Sequence, residues 1–245
     1  MTSVTFVFRK NDRVLIVAAH PDDEALAAAG IIQKARVAGA RIKVIYLTHG
    51  DGNMLAGIFH LKKPIMTRKI RAKMADGRKN EATQAMKGLD VKRGDLVFLG
   101  HPDLGLMALW RKKRAHVVDG LAAKMALFDP TLILAPAGFD RHSDHQAAGY
   151  FIQAALEKGG GSFVPKVLSY LIHSSHWPHP KGYKPEEFLM PPKKWTNKKN
   201  WLTVHLSPAE RKKKYEALLC YNSQMSYSRN FLLSFARRNE LFCTY

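Results

Sequence analysis

Cysteine is almost missing from this chain. Its two thiols, Cys220 and Cys243, form no CxxC pair, so neither a disulfide framework nor a cysteine-rich zinc site is available, and both are expected to be reduced. Long apolar runs are missing too: none approaches the roughly 20 residues a membrane-spanning helix requires. The first twelve residues, MTSVTFVFRKND, place a short apolar run ahead of the basic residues, the reverse of a secretory signal. A cytoplasmic location is therefore expected. Internal repeats and low-complexity tracts are missing apart from lysine-rich patches, which excludes solenoid and fibrous classes. Acid is scarce: 20 Asp and Glu stand against 39 Lys and Arg, a formal charge of +19. That imbalance attracts polyanions but says nothing about fold.

What is present suits one large α/β domain: 245 residues, 46% of them hydrophobic. The chain is organised around Val14–Gly30, VLIVAAHPDDEALAAAG. The apolar run Val14–Ala19 reads as a buried strand, and Glu24–Ala38 reads as a helix stopped by Gly39. Between them lie His20, Asp22 and Asp23, where the carboxyl end of a strand meets the start of a helix. Ile42–Leu47 reads as a second strand and completes a βαβ unit, which predicts a parallel sheet with right-handed crossovers.

Further along, the pattern predicts a helix over Arg68–Leu89, weakened at Gly77, and a strand at Asp95–Leu99 that runs into His101-Pro102-Asp103. A helix follows at Ala115–Phe128, then a strand at Thr131–Ala135. His142-Ser143-Asp144-His145 leads into a helix over Gln146–Glu157, with Ser143 and Gln146 spaced as a capping box. Val4–Arg9 reads as an edge strand or tail and Val167–His173 as one more strand. Ser174–Asn200 has neither period and reads as a long ordered loop over the core, or a mobile flap, expected to set substrate size. Pro208–Tyr221 and Phe231–Arg238 read as closing helices. We expect a single domain over 1–245, with its core over 12–160 and a loop-and-helix appendage over 161–245.

The chemistry follows from three strands that end in His/Asp loops along one sheet edge. Catalytic zinc takes three nitrogen or oxygen ligands and leaves a position for water. His20, Asp23 and one histidine of the 142–145 group supply such a set. Asp22, next to Asp23, is placed to act as general base on the water. Of His142 and His145, one can bind metal while the other serves as acid. Asp144 can orient an imidazole. An acidic helix start by itself is usually a cap. Two such clusters after buried strands point to a site.

These residues resemble the LmbE/PIG-L family of zinc-dependent N-deacetylases. The family pattern (A)HPDDE, RxxEA, (L)GxxD and HxDH is met by Ala19–Glu24, Arg78–Ala82, Leu99–Asp103 and His142–His145. YNSQ at Tyr221–Gln224 and RRNELF at Arg237–Phe242 are weaker echoes. The resemblance implies a Rossmann-like three-layer α/β fold with a mainly parallel sheet. It implies one Zn²⁺ per chain on His20, Asp23 and His145, a site that other divalent ions can also enter. It implies Asp22 as base, His142 as acid or oxyanion donor with Asp144 as its partner, and Arg78 and Asp103 on sugar hydroxyls. Some members have tyrosine where this chain has Asp140, which leaves Arg141 or His142 to supply an oxyanion donor.

The implied activity is removal of acetyl from an N-acetylglucosamine-type glycoconjugate or glycolipid. The basic clusters at Lys62–Lys79, Arg111–Arg114, Lys181–Lys199 and Arg211–Lys214 favour an anionic or lipid-linked substrate and peripheral contact with an anionic membrane at its inner face. Nucleic acid is disfavoured, since no recognition motif accompanies the charge. Two alternatives compete: a metal-dependent phosphoesterase, and a polyanion-binding protein with an idle metal site. Oligomeric state is left open.

Overall fold

In a computed structural model the described residues are 1–63, 65–159 and 165–244. Along the chain these form β1 (Thr2–Ser3), β2 (Arg13–Ala18), α1 (Asp23–Val37), β3 (Arg41–Thr48), α2 (Met54–Phe59) and α3 (Arg68–Gly88). There follow β4 (Leu96–His101), α4 (Leu106–Arg111), α5 (Ala115–Phe128), β5 (Leu132–Pro136) and α6 (Ser143–Gly159). The last elements are β6 (Lys166–Tyr170), β7 (Trp201–His205), α7 (Pro208–Leu219), α8 (Asn222–Leu233) and β8 (Asn239–Thr244).

All eight strands join one sheet in the order β1-β7-β8-β6-β5-β2-β3-β4, parallel except where β8 pairs antiparallel with β6 and β7. The mixed α/β class with a mostly parallel sheet holds. β2 is an interior strand, between β5 and β3, and both of its faces are apolar. Val14, Ile16 and Ala18 enter one core layer with α1, while Leu15, Val17 and Ala19 enter the other with α5 and α6. α1 is buried over almost its whole length, so its alanines let it lie between the sheet and α7. α6 approaches the end of β5 closely at Gly149, where a Cβ would lie 2.8 Å from the Pro136 carbonyl oxygen.

The expected C-terminal appendage proves to be part of the sheet. Residues 201–205 and 239–244 are strands, and the helix expected at Phe231–Arg238 ends at Leu233. Asn239 and Glu240 are buried polar residues that obscure a strand pattern. Asn239 bonds to Leu189 and Thr203, and Glu240 to Lys214 and the α1 backbone. Val4–Arg9 is irregular, the terminal strand being Thr2–Ser3 against β7. Gly77 does not break α3. The Ser143–Gln146 capping box does not form. α6 starts at Ser143, the His142 carbonyl accepts the Gln146 N–H, and the Gln146 side chain donates to the Asp140 carbonyl. The boundary expected at 160–161 lies outside the described residues. Among the described residues no helix is long and apolar enough to cross a membrane.

Candidate active site

β2 leads to β3 on one side and pairs with β5 on the other, so the crevice beyond its carboxyl end lies at a switch in strand order. His20 leaves this end, and Asp22 takes φ +133° to turn the chain into α1. For a residue other than glycine that backbone is strained, a condition common where a side chain must be aimed. Asp103 follows β4, Asp140 and His142 lie between β5 and α6, and Asp144 and His145 lie in the first turn of α6.

Three side chains meet here. His20 Nδ1 lies 3.3 Å from His145 Nε2, the Asp23 carboxylate reaches His145 Nε2 at 3.4 Å, and its other oxygen reaches His20 Nδ1 at 4.0 Å. Zinc bonds of ~2.0–2.1 Å in a tetrahedron place ligand atoms ~3.3–3.4 Å apart, so the spacing fits. The donor chemistry fits too: the carboxylates of Asp22, Asp23, Asp103, Asp140 and Asp144 are all buried around these imidazoles, a surplus of negative charge suited to a cation. His142 also brings a ring nitrogen within 4.8 Å of those of His20 and His145. A second group, His20 with Asp103 and Asp144, meets the same spacing, but its carboxylates serve the backbone. Asp144 accepts from Leu104 and Leu106 N–H at 2.7 and 3.0 Å, and Asp103 accepts from Gly52 N–H at 2.6 Å.

Electrostatics follow burial. Burial opposes charge on His20, yet hydrogen bonds to Asp103 and Asp144 lift it to about 10. Burial likewise opposes charge on His145, and Asp23 and Asp140 outweigh it and raise the ring above its ordinary value. Burial pushes Asp22 up, while the guanidinium of Arg78, 3.2 Å away, pulls it back.

The predicted roles divide. His20, Asp23, His145, Asp22 and His142 are brought together. The partnership of Asp144 with His142 does not form as expected: the Asp144 carboxylate is occupied by backbone N–H groups and His20, and its own N–H donates to His142 Nδ1 at 3.2 Å. Arg78 and Asp103 line the cavity but are engaged within the protein, Arg78 with the Gly50 and Pro21 carbonyls and Asp22, Asp103 with His20 at 3.1 Å. Arg141 is exposed. His49 and His101 stay away from the cavity, beside Phe98 and His116.

Two residues escaped the sequence reading. Asp140 receives the N–H groups of Ile172 and His173, both at 2.9 Å, and faces His145 Nδ1 at 3.4 Å. Such a carboxylate fixes a ligand's tautomer and ring plane. Its place after a buried strand, like that of Asp22, was the available signal. His173, three residues beyond β6, lines the cavity and stacks on Phe231. The loop 174–200 contributes nothing to the described lining. The walls of this cavity, about 580 Å³, come instead from α1, α2, α3, α8 and the segments after β2, β3, β4, β5 and β6. A loop rich in proline and lysine suggested a cover, but Trp177 packs on Phe235, Gly182 N–H donates to the Asn230 carbonyl of α8, and Leu189 N–H donates to Asn239 of β8, which holds the loop against these elements.

The sequence model for PIG-L, GlcNAc-PI de-N-acetylase, matches residues 15–156, which include this whole set of ligands and carboxylates. The chain belongs to the PIG-L family. Its reaction class is therefore hydrolysis of an amide by N-deacetylation. No curated protein matches the sequence. Among solved structures, N,N'-diacetylchitobiose deacetylase from Pyrococcus horikoshii is similar, at 18% identity and TM-score 0.63, covering 94% of this chain and 82% of that one. A deacetylase of teicoplanin biosynthesis is similar at 17% identity and TM-score 0.68, covering 94% and 96%. So is GalB, a 4-carboxy-2-hydroxymuconate hydratase from Pseudomonas putida KT2440, at 21% identity and TM-score 0.60, covering 92% and 82%. These likenesses are of fold, and the fold serves more than one reaction.

Proposed function

We propose that this PIG-L family member removes the acetyl group from an N-acetylated amino-sugar, using one divalent ion, zinc by preference, on His20, Asp23 and His145. The observation that supports this most is the meeting of those three side chains at 3.3–4.0 Å beside Asp22, on the wall of a cavity large enough for a sugar. His145 is favoured over His142 as ligand because it is fully buried, faces Asp23 and is held from behind by Asp140.

When bound, such an ion polarises the acetyl carbonyl and lowers the pKa of a water beside it towards ~7. Asp22, braced by Arg78, takes the proton of the attacking water. His142 accepts the Asp144 N–H at Nδ1, so the proton of its neutral ring sits on Nε2. That N–H donates to the oxyanion, the task for which the chain has no tyrosine at position 140. Asp22 then delivers its proton to the leaving nitrogen, the C–N bond breaks, and acetate and a free amine depart. An anionic or lipid-linked acceptor agrees with the charge of +19.

The test is acetate release from N-acetylglucosamine, diacetylchitobiose, and phosphorylated and lipid-linked N-acetylglucosamine. Activity should vanish with chelator, return with Zn²⁺, and be lost in Asp22→Ala at unchanged metal content. No acetate from any of them at full metal occupancy would overturn the reading.

A further inference from the structure

We infer that the rim of the cavity formed by α2 and the segment after it is a docking surface for an anionic lipid bilayer. From Gly52 to Ala75 the chain has no acidic residue and six cations, Lys62, Lys63, Arg68, Lys69, Arg71 and Lys73. Of these, Arg71 pairs with Asp51, and the other five make no ion pair among the described residues. Within the same stretch α2 turns apolar side chains outward: Met54 is 57% exposed, Leu55 51%, Ile58 37% and Phe59 57%. Its opposite face is tied down. Asn53 caps α2 and donates to Tyr227 of α8, and Ala56 and Gly57 are buried. The outward residues are thus the face left over after α2 has packed.

The chain then folds back on α2. Lys63 N–H donates to the Gly57 carbonyl at 3.0 Å, and Met66 packs so near Gly57 that a Cβ there would lie 2.4 Å from its sulfur. This brings Lys62 and Lys63 beside the apolar face. Met54, Leu55 and Ile58 also line the cavity, as does Leu104, itself 61% exposed. Exposed apolar side chains at a pocket, beside unpaired lysines, are the layout of a surface that sinks side chains among acyl chains and sets lysines at headgroup level.

The observations favour a bilayer over other occupants. Nucleic acid needs a series of stacking platforms, and of the four outward side chains only Phe59 is aromatic, Met54, Leu55 and Ile58 being aliphatic. A second copy would bring two patches of the same sign together. The inference is independent of the reaction: the face can dock whether or not the site deacetylates.

Full-length protein is sedimented with phosphatidylcholine vesicles, with and without phosphatidylglycerol. Binding is expected only to the anionic vesicles and should fall as salt rises. Phe59→Ser and the pair Lys62→Glu/Lys63→Glu should each weaken it about tenfold or more. Lys193→Glu/Lys194→Glu, on the loop that does not line the cavity, should leave it intact. Circular dichroism establishes that each variant is folded. Phe59→Trp should shift its emission to the blue on anionic vesicles only. No binding to either vesicle, equal loss in the Lys193/Lys194 variant, or a concentration-dependent dimer that Phe59→Ser abolishes would each overturn the proposal.

Discussion

Asp140 and His145 face each other at 3.4 Å inside the protein, with one Asp140 oxygen also receiving the N–H groups of Ile172 and His173. That carboxylate is held well below the usual range although burial opposes its charge, because His145 and His173 lie beside it. It joins the start of α6 to the segment just after β6 and aims the imidazole at Asp23.

Asp140→Asn keeps an acceptor for the backbone and removes the charge behind His145. Metal affinity should fall by about 10–100-fold. Competition with a chromophoric chelator measures this, and unchanged affinity would separate Asp140 from the metal site.

Lys214 and Glu240 form an ion pair at 2.7 Å with both side chains buried, and Glu240 also accepts from Gly30 and Ile31 N–H. Lys214→Met leaves that carboxylate without its cation. The cost should be about 3–5 kcal/mol of unfolding free energy. Urea denaturation followed by circular dichroism reads it, and Lys214→Met/Glu240→Gln should recover part of the loss.

Gly149→Ala presses a methyl group against backbone, not against a flexible side chain. Its Cβ would lie 2.8 Å from the Pro136 oxygen and 3.0 Å from the Gly138 nitrogen. We expect a loss of about 1–3 kcal/mol as α6 is pushed off the sheet. Calorimetric melting checks this. Because α6 carries His145, metal affinity should fall in parallel.

Cys243 lies within the sheet, and burial raises its thiol from 9.0 to about 12. The unfolded chain ionises first. Stability linked to this group is present below pH ~9 and declines as pH rises towards about 12. Cys243→Val should flatten that decline in denaturation curves taken across the window. In native protein at neutral pH a thiol reagent should modify the half-buried Cys220 and spare Cys243.

The parallel half of the fold was legible because strands buried on both faces read as plain apolar runs. Val14–Ala19, Ile42–Leu47 and Thr131–Ala135 all fall within a residue or so of β2, β3 and β5. The antiparallel strands were not. β8 is paired through partners far away in sequence, and its Asn239 and Glu240 owe their burial to Thr203 and Lys214. Short α2 and α4 carry too few residues to show a period. At the site, residues next to one another in a motif were readable. Asp140 and His173 were not, since their place depends on how β6 lies against β5.

The sheet's order also governs how the chain can be made. β1 and β7 reach the remaining strands only through β8, and β8 occupies the gap between β6 and β7. During synthesis β6 therefore waits with an open edge until residues 239–244 have emerged. A ribosome-stalled or clipped chain would expose that edge to other nascent chains.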